Sequence, residues 1–171
     1  MKGTRANVKP LIRLLMPEDE HYVQKLCEEC HEFALMMGGR PPRPDDGHKI
    51  LFDLPPGMHA ENKYVYGLFT ASGTMIAVLD MVSDYKVKGE WTIGLMMITP
   101  AERGKGFGRH LHDLACDIAR RHGASVMRLG VMKENHAARR FWRGLGYQEM
   151  EIVRRRYDKL EHTVIIKKRN L

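Results

Sequence analysis

Three glycines alternate with cationic and aromatic residues in the hexapeptide Arg103-Gly104-Lys105-Gly106-Phe107-Gly108, which lies between a predicted strand and a predicted helix. Glycine permits the positive φ angles of a tight turn and lets a ligand approach the backbone. The helix predicted from about Phe107 to His122 leaves its first four N–H groups unpaired, at the positive end of its dipole. With the cations of Arg103, Lys105 and Arg109, these groups predict a site for a ligand that carries several negative charges, most naturally phosphates.

Three kinds of nucleotide-binding loop compete for this hexapeptide. A Walker A loop needs Ser or Thr after its Gly-Lys pair, but Lys105 is followed by Gly106, which excludes that class. A dinucleotide-binding fingerprint needs G-x-G-x-x-G and an acidic residue at the end of the second strand. Here the glycine spacing is G-x-G-x-G, and the next predicted strand, Val126–Met132, is followed by Lys133, so this class fits poorly.

The third class is the pyrophosphate loop of the GNAT acyltransferases, whose pattern is Arg/Gln-x-x-Gly-x-Gly/Ala. Arg103, Gly106 and Gly108 match every fixed position of that pattern. After the strand Val126–Met132, the run from Asn135 to Tyr147 resembles the family's fourth-helix signature, Asn-x-x-Ala-x-x-Phe/Leu-Tyr-x-x-x-Gly-Phe/Tyr. Because two motifs in the right order are more specific than one, the chain is identified by resemblance as a GNAT-superfamily N-acetyltransferase.

The resemblance implies an α/β fold of three layers, with a mixed, mostly antiparallel sheet between helices and a splayed central pair of strands. It also implies direct transfer of an acetyl group from the cosubstrate acetyl-CoA to a primary amine, without a metal. In similar proteins the pantetheine arm lies between the splayed strands, which are predicted here over Trp91–Ile98 and Val126–Met132. The resemblance places the glycine loop, Arg109, the backbone groups of Met96, Met97 and Ile98, and the side chains of Asn135 and Trp142 at the cofactor site. One N–H of Met96, Met97 or Ile98 would stabilise the oxyanion. Asn135 could alternatively serve only as the cap of its helix.

The catalytic acid and base need separate consideration. Trp142 occupies the position where relatives have a Tyr that protonates the departing sulfur, and an indole cannot act as an acid. A thiol pKa of ~8.5 still allows sulfur to leave as a thiolate near neutral pH. An amine with a pKa of ~10.4 must lose a proton before it attacks. Because the strand Trp91–Met97 has no carboxylate, Glu90 and Asp84 are the predicted bases, with Asp80 as a further candidate and a water chain as the alternative.

Length and composition agree with one acetyltransferase domain over residues 1–171. A chain of 171 residues, of which 43% are apolar, can bury a full core. No apolar run approaches the ~20 residues that cross a bilayer, and residues 1–9 lack the apolar segment of a signal peptide. With only three cysteines, these features predict a cytoplasmic protein that does not bind a membrane.

The chain is basic, with a formal net charge of +7 and a pI of about 9.4. A basic excess suits a cofactor with several phosphates and could also attract nucleic acid. The clusters Arg154–Arg156 and Lys167–Arg169 lie in predicted strands without an aromatic ladder for bases, so we expect solvated strand faces and no nucleic-acid partner. The expected partner is a small-molecule or peptide amine, and a homodimer is kept as a candidate assembly. The alternative function is a CoA-binding regulatory or nucleic-acid-associated module without turnover.

Hydrophobic periodicity and turn-forming residues predict the remaining elements. A helix is expected over Glu18–Met37, followed by a long irregular connection, Gly38–Ala60, that either carries the substrate side or is a surface insertion. The predicted strands outside the central pair are Leu11–Met16, Lys63–Thr70, Thr74–Lys86, Tyr147–Tyr157 and His162–Lys168.

Several Cys and His residues imitate ligand sites. The run Cys27-Glu28-Glu29-Cys30-His31 matches the C-x-x-C-H pattern of covalent haem attachment, but it falls in the helical pattern Glu18–Met37 and is predicted to supply buried helix thiols. Cys116 is predicted to be a small core residue. His110 and His112 are predicted to be exposed or capping histidines rather than ligands.

Overall fold

The computed structural model describes residues 10–171, which form one seven-stranded sheet and five α-helices. The strands are β1 (Leu11–Leu14), β2 (Lys63–Phe69), β3 (Met75–Ser83), β4 (Glu90–Ile98), β5 (Val126–Met132), β6 (Gln148–Tyr157) and β7 (Leu160–Asn170). The helices are α1 (Glu20–Glu29), α2 (His31–Gly38), α3 (Asp46–Phe52), α4 (Phe107–Arg121) and α5 (His136–Gly144).

The strands are hydrogen-bonded in the order β1-β2-β3-β4-β5-β7-β6, and the pair β4–β5 is parallel while the others are antiparallel. This confirms the predicted mixed, mostly antiparallel sheet. The parallel pairing runs from Glu90 opposite Val126 to Ile93 opposite Leu129. Beyond these residues β4 continues to Ile98 and β5 to Met132, but the two strands no longer pair with each other. The two strands therefore separate, which confirms the predicted splay.

Helices cover both faces of the sheet. On one face, α4 and α5 pack through buried residues such as Leu111, Ala115 and Trp142. On the other face, α1 and α3 bury Val23, Leu26 and Leu51 against β2, β3 and β4. Complete burial of one such apolar side chain contributes about 1.5–3 kcal/mol. The three-layer αβα arrangement is therefore confirmed, and it places β4 and β5 in the interior.

Two predicted elements in the N-terminal half were wrong in detail. The helix predicted over Glu18–Met37 is interrupted at Cys30, whose φ of −99° and ψ of 35° separate α1 from α2. The predicted irregular connection contains the helix α3. Gly47 in α3 looks like a turn former, but a Cβ there would lie 2.6 Å from the backbone nitrogen of Gln24. This glycine therefore serves close packing between α1 and α3.

Two residues predicted to be exposed are buried. The Lys167 side chain is 1% exposed, and its Nζ donates a hydrogen bond to Glu149 at 3.1 Å. His112 is fully buried, with Nε2 3.1 Å from the Tyr147 hydroxyl and 3.3 Å from the Cys116 sulfur. Burial lowers the pKa of His112, which favours the neutral ring. The sequence does not indicate that a long polar side chain in a strand or helix will be buried by a partner from another element.

Two further expectations, on the arginine cluster and on the cysteines, are met. Arg154, Arg155 and Arg156 are exposed, as predicted, and all three cysteines are buried and free. Among residues 10–171, no helix is long and apolar enough to cross a membrane. Over the same range, no three His, Cys, Asp or Glu side chains are grouped as metal ligands would be.

Candidate active site

A cavity of about 590 Å³ occupies the gap between the separated ends of β4 and β5. This volume lies in the usual range of small-molecule sites. One side is lined by residues of β4, β5 and α5, and the other by residues of α1 to α3 and of the turn between β6 and β7. The cavity thus lies between the strands predicted to hold the cofactor and helices α1 to α3, of which α3 falls in the connection Gly38–Ala60, predicted to be either the substrate side or a surface insertion.

A β-bulge, a glycine and the carboxylate of Asp80 lie together at the level where β4 separates from β5. In the pairing with β3, Asp80 lies opposite Leu95 and Met81 opposite Ile93, so Gly94 is the extra residue of a β-bulge. A Cβ at Gly94 would lie 3.3 Å from Oδ2 of Asp80. The absence of a side chain at this position keeps open the space in front of the Asp80 carboxylate, at the start of the gap.

Asp80 is the one charged residue of β3, and its eight neighbours in that strand are all buried. Its Oδ1 accepts a hydrogen bond from Lys63 Nζ at 3.0 Å, and the same ammonium donates to the backbone oxygen of Asp53 at 2.8 Å. Burial raises the pKa of the Asp80 carboxyl above its usual value, although the charge of Lys63 opposes that shift. Asp80 lines the cavity, so a carboxylate of increased basicity faces the place where β4 and β5 separate.

The backbone of β4 presents hydrogen-bonding groups to the gap. The N–H of Thr99 donates to Ile76 of β3, while the oxygen of Ile98 accepts from Arg103 instead. Because successive residues of an antiparallel strand turn alternately toward and away from a neighbour, Met96 and Ile98 direct their backbone groups into the gap. The prediction for Met97 needs correction, since its backbone is directed toward β3 and only its side chain lines the cavity.

The glycine loop lies just beyond the end of β4 and forms a tight turn. Gly104 and Gly106 have φ angles of 76° and 89°, and Gly106 is the N-cap of α4. Gly108 differs, because a Cβ there would lie 3.1 Å from the Phe141 ring. Two of the glycines are therefore needed for backbone conformation, and the third for packing α4 against α5. Arg109 is exposed in the first turn of α4.

The cations of the loop are partly engaged by protein groups. Arg103 Nε donates to the Ile98 oxygen at 2.9 Å, and its guanidinium also pairs with the carboxylate of Glu32. Lys105 pairs with Glu102 at 3.0 Å. These contacts attach the loop to β4 and α2, while the side chains of Arg103 and Lys105 stay 46% and 54% exposed. An anion outside the loop can still reach both cations.

Asn135 and Trp142 lie on the α5 side of the cavity. The side-chain oxygen of Asn135 accepts from the N–H of Ala138 at 3.1 Å, so Asn135 caps α5 and also lines the cavity. The Trp142 ring is 7% exposed and packs edge-on against Phe141 and Tyr147. Trp142 therefore forms a wall of the cavity.

The structure does not bring the two predicted bases to the cavity. Glu90 is buried at the opposite end of β4, where its carboxylate contacts Lys168 at 2.7 Å and Arg128 at 3.6 Å. Asp84 lies in the turn after β3 with a φ of 55°, and its Oδ1 accepts from the N–H of Gly89. Both carboxylates contact local groups, although Oε1 of Glu90 accepts no hydrogen bond from the described residues, and the gap lies at the far end of β4. Among the three candidates only Asp80 lines the cavity, and its isolation in an apolar strand is the sequence signal that could have ranked it first.

The side of the cavity formed by α2 and α3 combines apolar and charged groups. Phe33, Met37 and Ile50 provide apolar surface, and Asp53 lies at the exposed edge. The charged residues Arg40, Asp46 and Asp158 also line the cavity, and no sequence motif marks them. Their only sequence signal is a concentration of charge near turn-forming residues, which is typical of any surface loop.

Comparison with known proteins agrees with this geometry. Residues 21–147 match the profile of the Acetyltransferase (GNAT) family. The chain therefore belongs to the GNAT family, a class of acyl-transferring enzymes. An uncharacterised N-acetyltransferase of Methanocaldococcus jannaschii is 34% identical over 59 residues, a match that covers 34% of this chain and 26% of that protein.

Solved structures of acetyltransferases share the fold. Spermidine N-acetyltransferase from Vibrio cholerae, solved with CoA and spermine, is similar with a TM-score of 0.73 and 16% identity, over 96% of each chain. The ribosomal-protein-S18-alanine N-acetyltransferase from Escherichia coli is similar with a TM-score of 0.70 and 21% identity, over 94% of this chain and 93% of that one. The acceptors named for these two proteins differ, so the shared fold leaves the acceptor of this chain open.

Proposed function

We propose that this protein transfers an acetyl group from acetyl-CoA directly to a primary amine. The single observation that carries the proposal is the position of Asp80, a carboxylate with a raised pKa that faces the gap between β4 and β5. Membership of the GNAT family supports the same class of reaction. Acetyl-CoA would supply the acetyl group as a thioester, which is activated toward attack by an amine.

The residues around the gap fit the parts of acetyl-CoA. The unpaired N–H groups at the start of α4, together with Lys105 and Arg109, suit the pyrophosphate. The apolar walls between β4 and β5 suit the pantetheine arm, and the backbone groups of Met96 can hydrogen-bond to its amides as a neighbouring strand would. An N–H of this free edge can also stabilise negative charge on the thioester oxygen.

Asp80 would act as the general base. Its Oδ2 faces the open space at Gly94, while Lys63 holds Oδ1, so one oxygen is available to accept a proton from the amine. Trp142 excludes water from the far side of the gap and cannot donate a proton. The CoA sulfur would therefore leave as a thiolate, which its ordinary pKa of ~8.5 allows.

The test is a thiol-release assay with acetyl-CoA over a panel of amines, with mass spectrometry of the acetylated product. We expect release that depends on the amine and a product heavier by one acetyl group. Acetyl-CoA that binds in calorimetry without turnover of any amine would contradict the proposal and favour a CoA-binding regulatory module.

A further inference from the structure

Two segments that are distant in the chain meet at the acceptor side of the cavity. The first is the connection from Met37 to Asp46, which we call the strap. The second is the hairpin turn from Tyr157 to His162. Both contribute residues to the cavity lining, including Arg40 and Asp158. The contacts between the strap and the hairpin turn therefore affect which acceptors can enter the cavity.

A charged cluster ties the strap to the hairpin turn. The guanidinium of Arg40 forms two hydrogen bonds with Asp46, at 2.9 and 3.0 Å, and its Nε donates to Asp158. Arg43 pairs with the same Asp158 oxygen at 2.8 Å. The Arg40, Asp46 and Asp158 side chains are 18%, 16% and 26% exposed, so these pairs are screened less than surface ion pairs.

Backbone and apolar contacts reinforce the closure. The imidazole Nε2 of His162 lies 2.8 Å from the Met37 oxygen, and the N–H of Lys159 donates to the Gly38 oxygen at 3.4 Å. Gly39, with a φ of 68°, lies so close to Leu160 that a Cβ would be 3.1 Å from its Cγ. The strap and the hairpin turn are therefore joined along this side of the cavity.

We infer that the acceptor is a small free amine with an apolar carbon body, and not an amine embedded in a polypeptide. An extended polypeptide needs an open groove to place a side chain or N-terminus in front of Asp80, and the strap closes that path. A compact amine needs only the cavity itself, where Phe33, Met37 and Ile50 would contact its carbon skeleton. The inference rests on the proposed acetyl transfer and specifies its substrate class.

The test compares kcat/KM for two acceptor classes in the full-length protein. The small amines are hexylamine and 2-phenylethylamine, and the polypeptides are a short lysine-containing peptide with a free N-terminus and a denatured lysine-rich protein. We expect kcat/KM to be at least ~100-fold higher for the better small amine, because the joined strap and hairpin turn obstruct a polypeptide chain that must place its amine in front of Asp80.

Asp158→Asn opens the cluster with the least risk to folding, since Asn tolerates the positive φ of 51° at this position. We expect the preference for small amines to fall about tenfold, through a higher KM for the small amine and improved turnover of the peptide. Arg40→Lys keeps one charged contact, so its preference for small amines should lie between that of the wild type and that of Asp158→Asn. Arg155→Gln, an exposed change in β6 of the same hairpin, is the matched control and should leave the preference unchanged.

Two outcomes would overturn the inference in distinguishable ways. Polypeptides acetylated as well as the small amines would contradict the substrate class and leave acetyl transfer intact. No turnover of either class, with acetyl-CoA bound, would contradict the proposed function and the inference with it.

Discussion

The two halves of the candidate site are built in different ways. The part that we propose binds the cofactor, called here the cofactor half, is formed by β4, α4, β5 and α5 and lies in one stretch of chain from Glu90 to Gly144. It offers mainly backbone groups, at the glycine loop and along the free edge of β4. The acceptor half combines α1 to α3 with Asp80 and the β6–β7 turn, and it relies on side chains. Arg40 and Asp158, which pair there, are 118 positions apart.

This difference explains how one fold can serve many acceptors. A backbone N–H is present whatever the side chain, so the cofactor half depends on a few glycines and a helix start. Side-chain pairs between distant segments change with a single substitution. The two structural neighbours described above fit this view, because their names give spermidine in one case and a ribosomal-protein alanine in the other.

The largest expected effect separates chemistry from cofactor binding. Asp80→Asn keeps the shape of the side chain and removes the base, so we expect kcat to fall by about 10²–10⁴-fold. The Kd for acetyl-CoA, measured by calorimetry, should stay within about twofold, because Asp80 belongs to the acceptor half. Asp84→Asn is the matched control and should change neither value. A loss of acetyl-CoA affinity as large as the loss of kcat would show that the two halves are not separable at Asp80.

The role of Asp80 as the base also predicts the direction in which the rate changes with pH. The base must be ionised to accept a proton, so the wild-type rate should fall as the pH drops through the folded-state pKa of Asp80. Burial raises that pKa above the ordinary value of an Asp carboxyl, which moves the acid limb toward higher pH. The residual activity of Asp80→Asn should lack this limb. An identical limb in both proteins would assign it to another group.

The second prediction changes the cofactor half alone. Gly106→Glu places a carboxylate beside the proposed pyrophosphate site, and we expect acetyl-CoA affinity to fall by about 2–3 kcal/mol. Any side chain is strained at the φ of 89°, so Gly106→Gln, with the same bulk and no charge, measures the strain by itself. The difference in Kd between the two variants isolates the charge effect. Equal Kd values, with both proteins folded, would place the pyrophosphate elsewhere.

The features that could be predicted from the sequence are those that depend on local sequence, and the features that were missed depend on distant parts of the chain. The core strands, α4 and α5 follow from hydrophobic periodicity and local motifs, the splay follows from the family resemblance, and the structure confirms them. The break at Cys30 has no Gly or Pro to indicate it, and α3 was missed because Gly47 resembles a turn former. Lys167 and His112 are buried by partners that only the folded chain supplies. Asp80 was underrated because its partner Lys63 comes from another strand.

The smallest expected effect concerns Trp142, where relatives have a proton-donating Tyr. The parent protein already lacks a donor there, so Trp142→Phe should leave kcat within a few-fold of wild type. The smaller ring loses contacts with Tyr147 and Phe141 in the core, so we expect unfolding free energy to fall by about 1–3 kcal/mol in chemical denaturation. Trp142→Tyr is the companion variant, because it places a hydroxyl near the departing sulfur. Its kcat should exceed that of Trp142→Phe only if sulfur departure limits the rate. A collapse of kcat in folded Trp142→Phe, with acetyl-CoA affinity intact, would show that the indole takes part in the chemistry and that the cofactor half also depends on a side chain.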